Sequence, residues 1–378
     1  MKIAELVHGL PHGAFTILES MADGVYVTDH KRRILYWNPA AERITGWSAD
    51  RVVGRPCSDN FLCHEDSAGT PLCEEEHCPL HRAMLTGIPS TEPIQVFAHC
   101  RDGSRLAVQV NVAPVRNATG EVIGGVEIFR DVSPQMRDLQ YARAIQAQAM
   151  QLPAKADPRL SFAVRYQPHG LVGGDFCTVE RLDADRYVFF IADVMGHGVQ
   201  AALYTMHLHA LWESNRRLLA RPASFFATLN QSLCRLFQRG QPFAHGTFGL
   251  IDLASRGLIL VNAGGPPMLL STNNDVVLHQ FDGLPLGMDP EFLYETQLLP
   301  LAEGDGLLFC TDGLLKIPDR HQRSMGAHGL ARLVEQRGFP ADEEALSSLY
   351  QEILQRSNLI ALGDDCTILA ISLHTEGR

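Results

Sequence analysis

In the C-terminal half of the chain, four places share one design, in which an apolar run meets an aspartate in a glycine-flanked turn. Tyr187-Val188-Phe189-Phe190-Ile191-Ala192 leads to Asp193, followed by Val194-Met195-Gly196-His197-Gly198. Gly306-Leu307-Leu308-Phe309-Cys310 leads to Thr311-Asp312-Gly313. Gly363-Asp364-Asp365 opens the apolar run Cys366 to Ile371, and Gly173-Gly174-Asp175 precedes a shorter run with Phe176 and Val179. A carboxylate at the rim of a buried strand is held rigidly and aimed off the sheet edge. Several such rims brought together make a pocket of like charges, which is unstable without cations. Hard oxygen ligands select Mg²⁺ or Mn²⁺ over softer metals. The glycines let the backbone turn tightly beside an ion. Any one Asp-Gly pair is an ordinary turn signal; the repetition of the placement carries the argument.

The segments that must position these residues fall into two blocks. The second, 153–375, mixes apolar strand runs with two amphipathic helices, roughly Gly198 to Arg217 and Ala223 to Gln238. It shows no strand–helix alternation of a doubly wound sheet, so an α+β layered fold is expected. The first block, 14–132, alternates short strands with turns. Gly24 to Asp29 and Arg33 to Asn38 read as a hairpin pair, Asn38-Pro39 ends the second strand, and a short helix follows over Ala40 to Thr45. Arg105 to Pro114 and Val122 to Asp131 read as long strands joined by a turn at Asn117 to Gly120. Between the blocks, 133–152 is rich in Gln, Ala and Arg and lacks glycine. Its Ala142, Ile145, Ala149 and Leu152 follow a 3-4-3 spacing, so a linker helix is expected.

The formal net charge is −11 with histidines neutral. That balance argues against a coat for nucleic acid or anionic membrane, both of which need a basic footprint. Hydrophobic residues at 46% and charged residues at 20% are ordinary for a folded protein. No run of 18 or more apolar residues suggests a membrane span. Residues Met1 to Phe15 lack the features of a signal peptide, so the cytoplasm is the expected compartment and the nine cysteines are expected to be mostly reduced.

The ordered set Leu171-Val172-Gly173-Gly174-Asp175-Phe176, Asp193 to Ala202, Asn262-Ala263-Gly264-Gly265-Pro266-Pro267, Leu284-Pro285-Leu286-Gly287, Thr311-Asp312-Gly313 and Gly363-Asp364-Asp365-Cys366-Thr367 resembles the SpoIIE-type branch of the metal-dependent protein phosphatase (PPM) superfamily. The resemblance implies an α/β/β/α sandwich, a two-metal centre holding Mn²⁺ or Mg²⁺, and hydrolysis of phosphoserine or phosphothreonine by in-line attack of water. Carried over motif by motif, Asp193 bridges both metals and the Val194 carbonyl helps bind one. Asp312 and Asp364 hold the second, Asp175 lies on or just behind the metals, and one of the pair Asp364 and Asp365 touches metal. His197 is placed to protonate the leaving oxygen, or else to cap the helix that begins at Gly198. The chain departs from the pattern at Cys177-Thr178, where Tyr-Asp is usual, at Gly265, where histidine is usual, and at Lys316, where an acidic residue is common.

In the first block, Met21-Ala22-Asp23-Gly24-Val25, Trp37-Asn38-Pro39-Ala40-Ala41-Glu42, Thr45-Gly46-Trp47, Val53-Gly54-Arg55, Asp102-Gly103-Ser104 and Phe129-Arg130-Asp131-Val132 resemble a PAS sensor domain. That implies a five-stranded antiparallel sheet with helices on one side, often dimeric. Four cysteines crowd its middle: Cys57, Cys63, Cys73 and Cys78, with His64, His77 and His81 among them. The spacing matches no standard zinc or ferredoxin signature. An iron–sulfur cluster or other metal, a haem, a thiol–disulfide switch and a purely structural role all stay open.

The two resemblances together imply a homodimeric, sensor-regulated phosphatase. Its expected partner is a phosphorylated anti-sigma-factor antagonist of the STAS type. A rival function of another class is a degenerate phosphatase fold that serves as a signal-dependent binding module; the intact aspartates favour the enzyme. A sensor histidine kinase is disfavoured, since no glycine-rich nucleotide box follows the linker.

Overall fold

The computed structural model describes residues 12–59, 61–66, 69–73, 77–150, 152, 157–236, 243–273, 275–320, 322–357 and 362–374. The expected junction at residue 153 and the expected domain end at residue 375 lie outside the described residues. The chain divides into two compact units, Met1–Asp138 and Leu139–Arg378.

The first unit contains α1 (His12–Ser20), β1 (Gly24–Asp29), β2 (Ile34–Trp37), α2 (Pro39–Thr45), α3 (Ala49–Val52), α4 (Pro79–Thr86), β3 (Ile94–His99), β4 (Arg105–Arg116) and β5 (Val122–Asp131). Its strands form one antiparallel sheet in the order β2-β1-β5-β4-β3. The switch from β2 to α2 follows from Asn38-Pro39. Asn38 keeps extended dihedrals, and its Oδ1 accepts from the amides of Ala41 at 2.8 Å and Val25 at 2.9 Å. That caps the helix and ties it to the neighbouring strand. Pro39 suits the first turn, which needs no amide donor, and Gly46 ends the helix with φ +73°. Tyr26, Trp37, Phe61 and Phe129 fill the core.

A helix, α5 (Ser133–Ala149), spans the division between the units. The second unit continues with β6 (Leu160–Gln167), β7 (Asp175–Arg181), β8 (Arg186–Val194), α6 (Val199–Ser214), α7 (Pro222–Leu236), β9 (Ala244–Asp252), β10 (Gly257–Ala263), β11 (Met268–Thr272), β12 (Asp275–His279), β13 (Gln297–Pro300), β14 (Gly306–Cys310), α8 (Asp312–Lys316), α9 (Gly326–Arg337), α10 (Glu343–Arg356) and β15 (Cys366–Leu373). Two five-stranded sheets result, β13-β10-β9-β8-β7 and β12-β11-β14-β15-β6.

Side-chain parity explains the layers. Strands present alternate residues to opposite faces, and β8 is apolar on both. Its Val188, Phe190 and Ala192 pack against Leu208, Trp212, Phe225 and Phe226 of the α6 and α7 layer. Its Tyr187, Phe189 and Ile191 meet Leu307, Phe309, Leu369 and Ile371 of the facing sheet, with Phe189 and Phe309 ring centroids 4.6 Å apart. On the far side, Leu308, Ile368 and Ala370 pack under Leu330, Val334, Leu346 and Tyr350 of α9 and α10. The order is helix, sheet, sheet, helix: the α+β sandwich that the motifs imply.

Candidate metal centre

The apolar rows between the two sheets all end in polar residues at one edge. On β8 the inward row Tyr187, Phe189, Ile191 continues to Asp193. On β7 the row Val179, Cys177 ends at Asp175, and on β9 the row from Ile251 ends with Thr247 and His245. Register aligns these ends. Asp175 is the direct antiparallel partner of Asp193, and Asp193 is the partner of His245. Directly opposed residues share a face with Cβ atoms about 5 Å apart. From the facing sheet, Thr311 and Asp312 follow β14, and Thr367 is the second residue of β15.

Three of these side chains converge. Asp193, His245 and Asp312 each offer a ligand atom, all within 4.8 Å of one another. Behind them Asp175 is fully buried. Its Oδ2 accepts from Thr311 Oγ1 at 2.8 Å and Thr367 Oγ1 at 2.6 Å. Its Oδ1 is buried without a hydrogen-bond partner among the described residues. Burial, and then the neighbouring Asp193 charge, push the Asp175 carboxyl well above the usual range, against the two threonine hydroxyls. Burial also pushes Asp193 up to about 7, helped by the charges of Asp312 and Asp364 and opposed by Lys316. Carboxylates crowded out of water in this way are stabilised by a cation. The orphaned Asp175 oxygen and the converging donors fit a divalent ion. A cleft of about 320 Å³ opens beside them, lined among others by Asp193, His245, Gly265, Pro266, Thr311 and Asp312.

The other residues singled out in the sequence take different positions. Asp364 Oδ2 lies 2.8 Å from Lys316 Nζ, which also lies 2.9 Å from Asp312 Oδ1. Asp365 is turned away from that pair. Its Oδ1 and Oδ2 accept from the amides of His169 and Gly174, each at 2.6 Å, which ties down the Gly173-Gly174 loop. Burial raises the Asp365 pKa, while those two amides oppose the rise. The Val194 carbonyl oxygen approaches the same loop; a Cβ on Gly174 would stand 2.7 Å from it, so only glycine fits there. His197 is exposed, stacked obliquely on His169 with centroids 4.8 Å apart, and is not among the residues lining the cleft. Gly196 and Gly198, at φ +100° and +79°, allow the turn that carries it.

Three contributors escaped the sequence reading. His245 stands on the row of Asp193, and parity along β9 is the signal that would have found it. Gly265 carries no side chain where the resemblance leads to histidine, and His245 faces the same cleft. Thr367 holds Asp175. Gln146 of α5 is buried: its amide donates to Gly173 O at 2.7 Å and Thr205 Oγ1 at 2.8 Å, and its Oε1 accepts from Gly173 N and Tyr166 OH, each at 3.2 Å.

In the first unit the four clustered cysteines separate by environment. Cys57 and Cys78 are buried in the core, Cys63 and Cys73 are half-buried, and no disulfide joins cysteines among the described residues. Cys73 Sγ accepts from the His64 amide at 3.2 Å. Burial raises the Cys57 thiol and pushes Cys73 up to about 12. A thiol held protonated resists both metal ligation and disulfide exchange. Among the described residues, their ligand atoms form no group within 4.8 Å like that of Asp193, His245 and Asp312. Beside them lies a buried pair, His64 and Glu127, with Nε2 and Oε1 3.7 Å apart.

Comparison with known proteins agrees with this division. The family model described as Stage II sporulation protein E (SpoIIE) matches residues 183–374, and that of the PAS fold matches residues 15–132. Phosphoserine phosphatase RsbP of Bacillus subtilis is 31% identical over 184 residues, covering 47% of this chain and 45% of that protein. Stage II sporulation protein E of the same organism is 25% identical over 205 residues, covering 54% of this chain and 24% of that protein. The chain thus spans about half the length, or less, of these curated relatives. Among solved structures, the SiaA-PP2C domain of Pseudomonas aeruginosa superposes with a TM-score of 0.55 at 22% identity, covering 65% of this chain and 100% of that one, a likeness of fold. The SpoIIE model alone takes in half of the sequence, and the chain belongs to the SpoIIE family, with a PAS fold ahead of the SpoIIE-type region.

Proposed function

We propose that this chain is a PAS-regulated, metal-dependent protein serine/threonine phosphatase. One observation carries the reading: strand register sets Asp175 beside Asp193 on the inner edge of the sandwich, where Asp193 converges with Asp312. SpoIIE-family membership supports the activity. Asp193, Asp312 and Asp364 are the carboxylates assigned to hold two divalent ions, with the Val194 carbonyl beside them. When bound, such ions supply positive charge for the phosphoryl oxygens and make water more acidic.

The chain's own residues do the rest. Thr311 and Thr367 fix the orientation of Asp175, so its free oxygen keeps one direction. Asp365 clamps the loop that leads into Asp175. Gly264, Gly265, Pro266 and Pro267 leave the cleft wall without long side chains, giving a phosphorylated side chain room to enter. The motif resemblance alone assigns His197, four residues beyond Asp193 and outside the cleft lining, to give a proton to the departing serine or threonine oxygen. The protein substrate we assign is a phosphorylated STAS-type anti-sigma-factor antagonist, met by a homodimer; the motif resemblances support both.

The test is phosphate release, with Mn²⁺ and with Mn²⁺ plus chelator, from a phosphorylated STAS protein and from a short phosphopeptide of the same sequence. Chelator-sensitive release that strongly favours the folded protein is expected. Equal efficiency on both substrates rejects the partner assignment, and no release from either rejects the enzyme in favour of a binding module.

A further inference from the structure

We infer that His245 is a nitrogen ligand of the cation held by Asp193 and Asp312, and that it biases this position toward first-row transition ions over Mg²⁺. The inference rests on the metal-dependent reading above and adds a donor of a different kind. The geometry comes from the backbone. His245 is the direct register partner of Asp193 on the adjacent strand, so its side chain emerges on the same inner face. A ring nitrogen, a carboxylate oxygen of Asp193 and one of Asp312 all lie within 4.8 Å of one another, so a single ion placed among them needs small adjustments of the side chains.

The ring is held where it stands. Phe243 meets it edge-on with centroids 5.3 Å apart. The chain also turns past it through Gly264 at φ +74°, where a Cβ would stand 3.0 Å from His245 Cδ2. At the next residue, Gly265, a Cβ would stand 2.7 Å from Thr247 Oγ1, so that stretch of wall is closely packed against the residue two after His245. The imidazole is therefore walled into the cleft edge facing the carboxylates.

The chemistry follows from the donor set. Carboxylates, carbonyls and water suit Mg²⁺, whereas imidazole suits Zn²⁺, Fe²⁺ and their neighbours. A site with two carboxylates and one imidazole is of mixed type, and its affinity rises along the first transition row more steeply than that of an all-oxygen site. Mn²⁺, which accepts both donor types and is paramagnetic, is the probe of choice.

The experiment uses the full chain loaded with Mn²⁺. Pulsed EPR on the wild type is expected to show ¹⁴N modulation from a directly bound imidazole. His245→Gln is expected to keep saturable Mn²⁺ binding, lose that modulation, and lower the Mn²⁺-over-Mg²⁺ affinity ratio by about tenfold or more. His197→Gln should leave the modulation in place, which separates His245 from the histidine four residues after Asp193. Wild-type Mn²⁺ that binds saturably without nitrogen coupling overturns the inference and spares the metal reading, as does modulation that survives His245→Gln. No saturable Mn²⁺ binding in the wild type overturns the metal reading and the inference with it. The wild-type spectrum decides the matter even where a variant folds poorly.

Discussion

Lys316 and Asp364 form an ion pair, Nζ to Oδ2 at 2.8 Å, and the same ammonium reaches Asp312 Oδ1 at 2.9 Å. Burial works against the charged lysine, but the hydrogen bonds it donates to Asp364 and Asp312 raise its pKa overall. A protein cation thus sits between two carboxylates assigned to the second metal, at a position where the family often carries an acid. The lysine side chain is 57% exposed, so each contact is worth at most about 1 kcal/mol after screening. Removing both with Lys316→Ala should tighten binding of the weaker of two Mn²⁺ ions by roughly tenfold. Calorimetric titration of wild type and variant measures this; unchanged affinity would mean that the lysine swings away without cost.

Asp193→Asn should separate stability from catalysis. The Asp193 carboxyl is pushed up by burial and by Asp312 and Asp364, so a neutral amide relieves repulsion in the metal-free protein. A higher Tm in chelator is expected, together with a loss of phosphate release of at least about 10³-fold. A variant that turned over a phosphoester at the wild-type rate would remove Asp193 from the centre.

How far the sequence speaks for the site depends on where each residue gets its position. Asp193 and Asp312 are legible because an apolar run and a glycine-flanked turn are both local signals. Asp364 and Asp365 are adjacent and look equivalent, yet one meets Lys316 and the other meets amides of His169 and Gly174 far away in the chain. That split is tertiary. His245 has no flanking signature and becomes visible once β8 and β9 are in register. In the first unit the strands Gly24–Asp29 and Val122–Asp131 follow the sequence pattern residue for residue. The density of Cys57, Cys63, Cys73 and Cys78 suggests one site, but folding sends two of them into the core, and spacing along the chain cannot show burial.

Gln146 gives a prediction on positioning. Its side-chain amide satisfies both backbone groups of Gly173, two residues before Asp175, and also meets Thr205 and Tyr166. Gln146→Ala leaves those buried groups without partners, at about 1–3 kcal/mol for such a loss. For a unit of this size Tm should fall by roughly 2–4 °C per kcal/mol. The loop also carries Gly174, whose amide binds Asp365, so weaker Mn²⁺ affinity should accompany the lower Tm. A drop in Tm with unaltered metal affinity would limit Gln146 to a structural role.

The buried pair of the first unit predicts a pH dependence of stability. Burial pushes Glu127 up to about 8 from an ordinary 4.5, against a hydrogen bond from Tyr26. Burial pushes His64 down to about 4 from 6.5. For Glu127 the folded state holds the proton more tightly than the unfolded one. Its contribution is therefore complete below about 4.5 and is lost as pH rises toward about 8. For His64 the folded state holds the proton less tightly, so stability is gained as pH rises from about 4 to 6.5. Between about 4.5 and 6.5 the two slopes have opposite signs and nearly cancel. Above 6.5 the glutamate acts alone, and stability should fall by about 1.4 kcal/mol per pH unit until its carboxyl ionises. Calorimetry of the full chain between pH 5 and 9, following the transition of this unit, should show a plateau and then a decline. Glu127→Gln keeps a partner for Tyr26 and removes the titrating group, so its decline above pH 6.5 should disappear and its stability at pH 8 should exceed that of the wild type. A wild-type curve that is flat from pH 6.5 to 8 would mean that Glu127 ionises in the folded protein at its ordinary pKa, stabilised by a cation or by water reaching His64.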